Sequence, residues 1–175
     1  WRIEESEARP IPGSTWSFPG PPFFSPDGEW LGVVGEGKIR KTALSGGGFV
    51  DVARAPSGEP AGACWTAGGQ IVLGHVSGGL VAVPATGGEL REFTKAGAPG
   101  VSHRWPQALP GDRALLFTIA RGGKGFSAAV LPLSKGRPDG AVREIVTDAE
   151  AAQFVPPGHL VFWRANRAFA VPFDP

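Results

Sequence analysis

Apolar and turn-forming positions recur along this chain with a long, regular period. Four segments carry the same order of a small or aromatic residue, a Pro/Gly turn and an apolar run. They are FSPDGEWLGVV from Phe24, WTAGGQIVLGHV from Trp65, ALPGDRALLFTIA from Ala108 and FVPPGHLVFWRA from Phe154, with starts 41, 43 and 46 residues apart. A second landmark follows each one: TALSGG from Thr42, VPATGG from Val83, LPLSKG from Leu131 and VPFDP from Val171. Counted at Ala43, Pro84, Pro132 and Pro172, its intervals are 41, 48 and 40, and the long one is assigned to an extra RGGKG loop over residues 121–125.

Each unit resolves into four short strands. In the first, residues 22–25 precede a turn, 30–34 follow it, 38–44 make a third strand and 49–54 a fourth. The turn is written in Ser25, Pro26, Asp27 and Gly28: proline where φ near −65° is wanted, aspartate where a side chain bonds the backbone, glycine where φ turns positive. Polar residues alternate along the third strand, and the inner strands are expected to be the more uniformly apolar ones. No window of a dozen residues keeps helical spacing without Gly or Pro; residues 147–153, containing DAEAAQ, are the best candidate for a short helical turn.

Four-stranded units at a period of about 40 to 45 residues predict an all-β fold, a β-propeller. The expected blades are residues 22–54, 63–95 and 105–148, with the end of a preceding blade at 1–12 and an incomplete blade at 153–175. Such a sheet cannot bury both faces alone, so blades must pack on each other through Trp30, Val33, Leu73, Phe117, Val130 and Phe162. Two arrangements are open: a four-bladed ring closed by the N-terminal strand, or a partial arc of a six- to eight-bladed propeller. The larger ring needs about 260 to 340 residues at this period, which favours the arc.

Composition narrows the partners. The 27 glycines and 18 prolines suit many short elements joined by tight turns, and an apolar fraction of 42% supplies a core. A net charge of +1 offers no field for nucleic acid or an acidic membrane, leaving a protein or small-molecule ligand at a propeller face. No apolar run approaches the roughly 18 to 20 residues of a membrane span, so a soluble segment is expected. The lone Cys64 reads as a small buried hydrophobe, and the lack of methionine predicts a fragment or processed product.

The segment FSPDGEWLGVVGEGKIRKTALSGG resembles the PD40 repeat of TolB-like and WD40-like propellers. The order of SPDGEWLG, GKIRKTALSGG, SHRWPQALPGDRALLFT and GHLVFWRANRAFAVPFDP is similar to the region C-terminal to the kinase domain of bacterial eukaryotic-type serine/threonine protein kinases. That resemblance implies a membrane-anchored parent with an extracytoplasmic or periplasmic propeller that senses or binds a partner. The units with TAGG at 66–69 and VPPG at 155–158 depart from SPDG. Similar propellers gate prolyl-oligopeptidase-type serine peptidases or stand free as TolB-like periplasmic proteins, so both remain alternatives.

Catalytic patterns are missing from these residues. Gly35-Glu36-Gly37 begins like a phosphate loop but has Arg40 where the last glycine belongs, and His103-Arg104 is followed by Trp105 where a kinase needs aspartate. There is no G-x-S-x-G, and Ser127 reads as the start of a strand. His75, His103 and His159 lie in separate units, so neither a metal nor a cofactor is expected, and Asp27 reads as turn chemistry. The candidate binding residues lie in the cluster Ser102–Gln107 and the loop after it. There His103 would titrate near neutrality, Arg104 would hold a carboxylate or phosphate, and Trp105 would offer a stacking surface; Arg121 and Lys124 are accessible cations. The plainer alternative has Trp105 packed between blades, with Arg104 and His103 fastening a loop.

Overall fold

Residues 31–34, 71–73 and 115–120 are buried at consecutive positions, and a strand turns successive side chains to opposite faces. Strands of this kind need a cover on both sides. In the computed structural model, which describes residues 10–15 and 20–175, they are the second strands of three antiparallel sheets. The first sheet runs β1 (Phe23–Phe24), β2 (Trp30–Gly35), β3 (Lys38–Ala43), β4 (Val50–Arg54). The second repeats it with β5 (Pro60–Trp65), β6 (Gln70–His75), β7 (Val81–Pro84) and β8 (Arg91–Glu92). The third has β9 (Val101–Ala108), β10 (Ala114–Arg121) and β11 (Phe126–Ser134), whose outer edge pairs with both β12 (Arg137–Pro138) and β13 (Arg143–Thr147). Three strands form the fourth: β14 (Glu150–Val155), β15 (His159–Arg164) and β16 (Arg167–Pro172).

Alternation along the second strands builds the core. Ile71 and Leu73 meet Val34, Ile39 and Val52 of the first sheet, while Val72 between them turns to the third. One sheet on, Leu115 and Phe117 meet Val72, Leu80 and Ala82, while Leu116 turns with Ala128 and Val130 to Phe154, Leu160 and Phe162. Each apolar cluster is thus shared by two consecutive sheets, and each fully buried side chain contributes about 1.5–3 kcal/mol. The innermost strands β1, β5, β9 and β14 follow one another in space, each at the end of its sheet's strand order.

The first turn is built as its residues dictate. Gly28 has φ +74°, Asp27 accepts the Glu29 N–H at 2.9 Å and the Ser25 hydroxyl, and Ser25 Oγ accepts the Trp30 N–H at 2.9 Å. The Ser25 hydroxyl, then the Glu29 amide, hold the Asp27 carboxyl below its usual range. In the TAGG turn, buried Thr66 takes the place of Ser25 and accepts the Gln70 N–H at 3.1 Å.

Several expectations change. Residues 147–153 hold no helical turn: β13 runs into β14, and Ala149 and Ala152 are fully buried against the third sheet, a tertiary burial that outweighs alanine's helix propensity. The RGGKG segment is a tight hairpin end, and the extra length of its unit goes into the eight- and nine-residue strands β10 and β11. The second strands, not the inner ones, are uniformly buried, because an inner strand leaves one edge toward the axis. Val33 is buried on the face of β2 away from the second sheet, and Trp30 is only half-buried. Of the strand expected over 1–12, residues 1–9 lie outside the described residues, and Pro12 begins a turn.

Phe117 is fully buried between two sheets whereas Trp163 is 52% exposed. Phe117→Ala should therefore lower the unfolding free energy by about 3–5 kcal/mol and Trp163→Ala by less than about 1 kcal/mol. Urea unfolding of both variants checks this; equal losses would contradict the shared-core account.

Candidate functional site

Three of the four inner strands carry a left-handed residue at the same place: Gly62 (φ +87°), Trp105 (φ +50°) and Ala151 (φ +49°). Each stands three residues before the partner of the second strand's first core position, Trp65 opposite Ile71, Ala108 opposite Leu115 and Phe154 opposite Leu160. Each also falls at a break in register, so each is a β-bulge that bends the inner strand. The first sheet has Pro21 at this place, and its ring forbids a positive φ. Glycine suits Gly62 for a second reason, since a Cβ there would lie 2.9 Å from Trp105 Cα. Tryptophan at the equivalent place has no such ease: a left-handed residue with a Cβ costs roughly 1–2 kcal/mol.

The bent strands border an open axial cavity of about 430 Å³, lined from all four sheets by Phe24, Trp65, Trp105, Gln107 and Gln153 among others, with no charged residue in its wall among the described residues. A second hollow of about 350 Å³ lies beyond it at the turn end and shares Trp65 and Gln107. Clefts of about 520 and 540 Å³ run along outer strands, away from the axis. Gln107 bridges the third and fourth sheets: its amide accepts the Phe154 N–H at 2.7 Å and donates to the Phe154 carbonyl at 3.0 Å. Lys41 secures Trp65 from behind, its ammonium 5.7 Å from that ring and 4.7 Å from Trp30 while donating to the Ala85 carbonyl at 2.8 Å. Cys64 adds no reactivity, because burial of the thiol pushes its pKa up to about 12.

Of the residues singled out in the sequence, Trp105 reaches this cavity, half-buried with its ring 6.3 Å from Phe126. His103 is 3% exposed, tilted over Phe117 at 4.8 Å, with Nδ1 2.6 Å from the Thr94 hydroxyl. It does not titrate near neutrality: burial, and secondarily the Arg121 charge, push its pKa down to about 4. Arg104 donates to Ser102 Oγ at 2.8 Å and to the Val76 carbonyl at 3.4 Å, tying the third sheet to the second. Arg121 pairs with Glu144 at 2.5 Å and donates to Ser127 at 3.0 Å, and Lys124 is exposed at the hairpin end. His75, His103 and His159 stand on different strands, and among the described residues no three His, Cys, Asp or Glu side chains converge to hold a metal. Sequence reasoning overlooked Phe24, Trp65 and Gln153 as site residues; only their positions in the repeat signalled them.

Among solved structures the chain is similar to TolB from Acinetobacter baumannii, with 17% identity and a TM-score of 0.67 over 85% of this chain and 39% of that one. It is also similar to regucalcin, a calcium-binding protein from Agrobacterium tumefaciens, with 18% identity and a TM-score of 0.62 over 91% and 55%. The fold is that of a β-propeller. A puromycin-hydrolyzing peptidase from Mycobacterium tuberculosis shares it at 17% identity and a TM-score of 0.55, over 85% of this chain and 29% of that one. The chain spans 39% and 55% of the first two proteins, so it corresponds to a partial propeller. No family model and no curated protein sequence matches it.

Removing the Gln107 amide leaves the Phe154 N–H and carbonyl without their partner. Gln107→Ala should cost about 1–3 kcal/mol in urea unfolding, whereas Lys124→Ala on the exposed hairpin should cost less than about 0.5 kcal/mol. His103 sets a pH dependence. Its folded pKa of about 4 lies below the unfolded value of about 6.5, so the unfolded chain takes up the proton first. The contribution is whole above about pH 6.5 and is lost as pH falls toward 4, on the order of 3 kcal/mol in all. The difference in unfolding free energy between the wild type and His103→Leu, followed from pH 7 to pH 4.5, should shrink accordingly; a constant difference would disprove the assignment.

Proposed function

We propose that this chain is the binding portion of a sensor or protein-interaction propeller, without catalytic groups of its own, that engages its partner at the axial cavity. The observation that carries this is Trp105: a bulky residue kept in a left-handed bulge, at a place where the preceding blade has glycine, with its side chain in the cavity wall. Strain held at one position of a repeat points to what the side chain does there. Arg104, Arg121 and Lys124 belong to the end of the third sheet where β9 begins, and are proposed as peripheral contacts. The resemblance of SPDGEWLG and the segments after it supports a place C-terminal to the kinase domain of a bacterial serine/threonine kinase, with the propeller outside the cytoplasm.

A second reading is the gate of a serine peptidase, favoured by the likeness to the puromycin-hydrolyzing peptidase. The parent reading frame separates the two. Kinase motifs and then an apolar span upstream are expected; a downstream domain with G-x-S-x-G would replace the sensor with the gate. The binding reading is tested by recovering partners from a cell-envelope extract with wild type, Trp105→Gly and Phe169→Ala, the last being on β16 away from the axis. Trp105→Gly should lose the partner at least tenfold while its stability stays within about 1 kcal/mol, since relief of backbone strain offsets lost packing. Equal recovery with all three proteins would refute it.

A further inference from the structure

The chemistry of the axial wall narrows what fits there. None of the described residues that line it is charged, so a phosphate, carboxylate or ammonium placed against them would lose hydration without an ionic partner there. The wall has two other components. Trp65, Trp105 and Phe24 supply aromatic surface. Gln107 and Gln153 supply primary amides, each with two N–H donors and two acceptor lone pairs.

Gln107 is held in place by Phe154, which takes one N–H and one lone pair. One donor and one acceptor therefore remain, on opposite flanks of a planar group that cannot turn without breaking both bonds. Gln153 is exposed, and its amide makes no hydrogen bond among the described residues. Amides with both donors and acceptors to spare suit groups that both donate and accept, and a hydroxyl does both. Aromatic faces suit a ligand whose rings present C–H surface while its edges carry the hydroxyls. A volume of about 430 Å³ lies in the range of small-molecule sites.

Resting on the reading of the axis as the binding site, we infer that its ligand is a neutral saccharide of one or two rings, stacked on Trp105 and Trp65 and held at its hydroxyl edge by Gln107 and Gln153. The bulges are what place these groups together: without the bend at Trp105 and Ala151, the residues after them would follow the straight ladder of β9 and β14.

The test titrates the whole chain at millimolar concentration with maltose, cellobiose and diacetylchitobiose, with glucuronate as the charged control and a neutral proline-rich decapeptide as the competing class. The indole N–H resonances of wild type, Trp105→Gly and Gln153→Leu are followed by NMR. At least one neutral disaccharide should shift the Trp105 resonance, glucuronate should not, and Gln153→Leu should weaken the effect at least tenfold. Gln153→Leu is the safe variant, since its side chain takes no part in the fold's hydrogen bonds. If the peptide shifts Trp105 and no saccharide does, the ligand class is wrong while the axial site stands. If a saccharide shifts only resonances other than Trp105, or no probe shifts Trp105 at all, the axial reading falls with it.

Discussion

Everything in this fold depends on burying both faces of the second strand of a sheet. Ile71, Val72 and Leu73 cannot all be dry unless sheets stand on either side of them, and the same holds for Leu115, Leu116 and Phe117. The unit of stability is therefore the interface between two blades, not the blade. Sheets stacked in this way must fan about an axis, because each twists relative to its neighbour. Fanning brings one strand of every sheet to the centre with an edge unpaired, and the axial cavity follows from the same constraint that makes the core.

Polar side chains stitch what the apolar ones pack. Gln107 reaches the backbone of Phe154, Asp112 accepts the Gly68 N–H at 2.7 Å, and Lys41 donates to Ala85, each across a boundary between sheets. His103 has the same part at the second boundary: the Thr94 hydroxyl that meets its Nδ1 also accepts the Leu80 N–H at 2.8 Å. This explains why several residues that look functional in one dimension are absorbed by structure. A histidine in such a chain of hydrogen bonds is neutral and dry, and an arginine that spans two sheets holds them in register.

The bulges put a different demand on the same strands. A left-handed residue recurs in three blades as glycine, tryptophan and alanine, so the repeat conserves a backbone bend while its side chain is free to vary. Where it is Gly62, the missing side chain makes room for Trp105 of the next blade. Where it is Trp105, the ring becomes part of the axial wall. The blades are thus equivalent as architecture and inequivalent as chemistry, which is how a repeated fold acquires one asymmetric site.

The period was legible in the residues themselves. The Ser25–Gly28 turn, the apolar run after each turn and the spacing of the landmarks determined an all-β chain of repeated four-stranded units, because turn chemistry and alternation are local properties of a strand. Local patterns also misled. DAEAAQ reads as helix until the surfaces that bury Ala149 and Ala152 exist, and the His103–Arg104–Trp105 cluster gives no sign of which side chain faces the axis. That choice belongs to the bulge, since one extra residue in a strand reverses the direction of the side chains beyond it. The sequence by itself settled the turn chemistry and the recurrence of short antiparallel strands, because both are local. Only the packing of sheet on sheet decided that Trp105 and Gln107 share a wall with Trp65 and Gln153, because those contacts cross blades that are neighbours in space and about 40 residues apart along the chain.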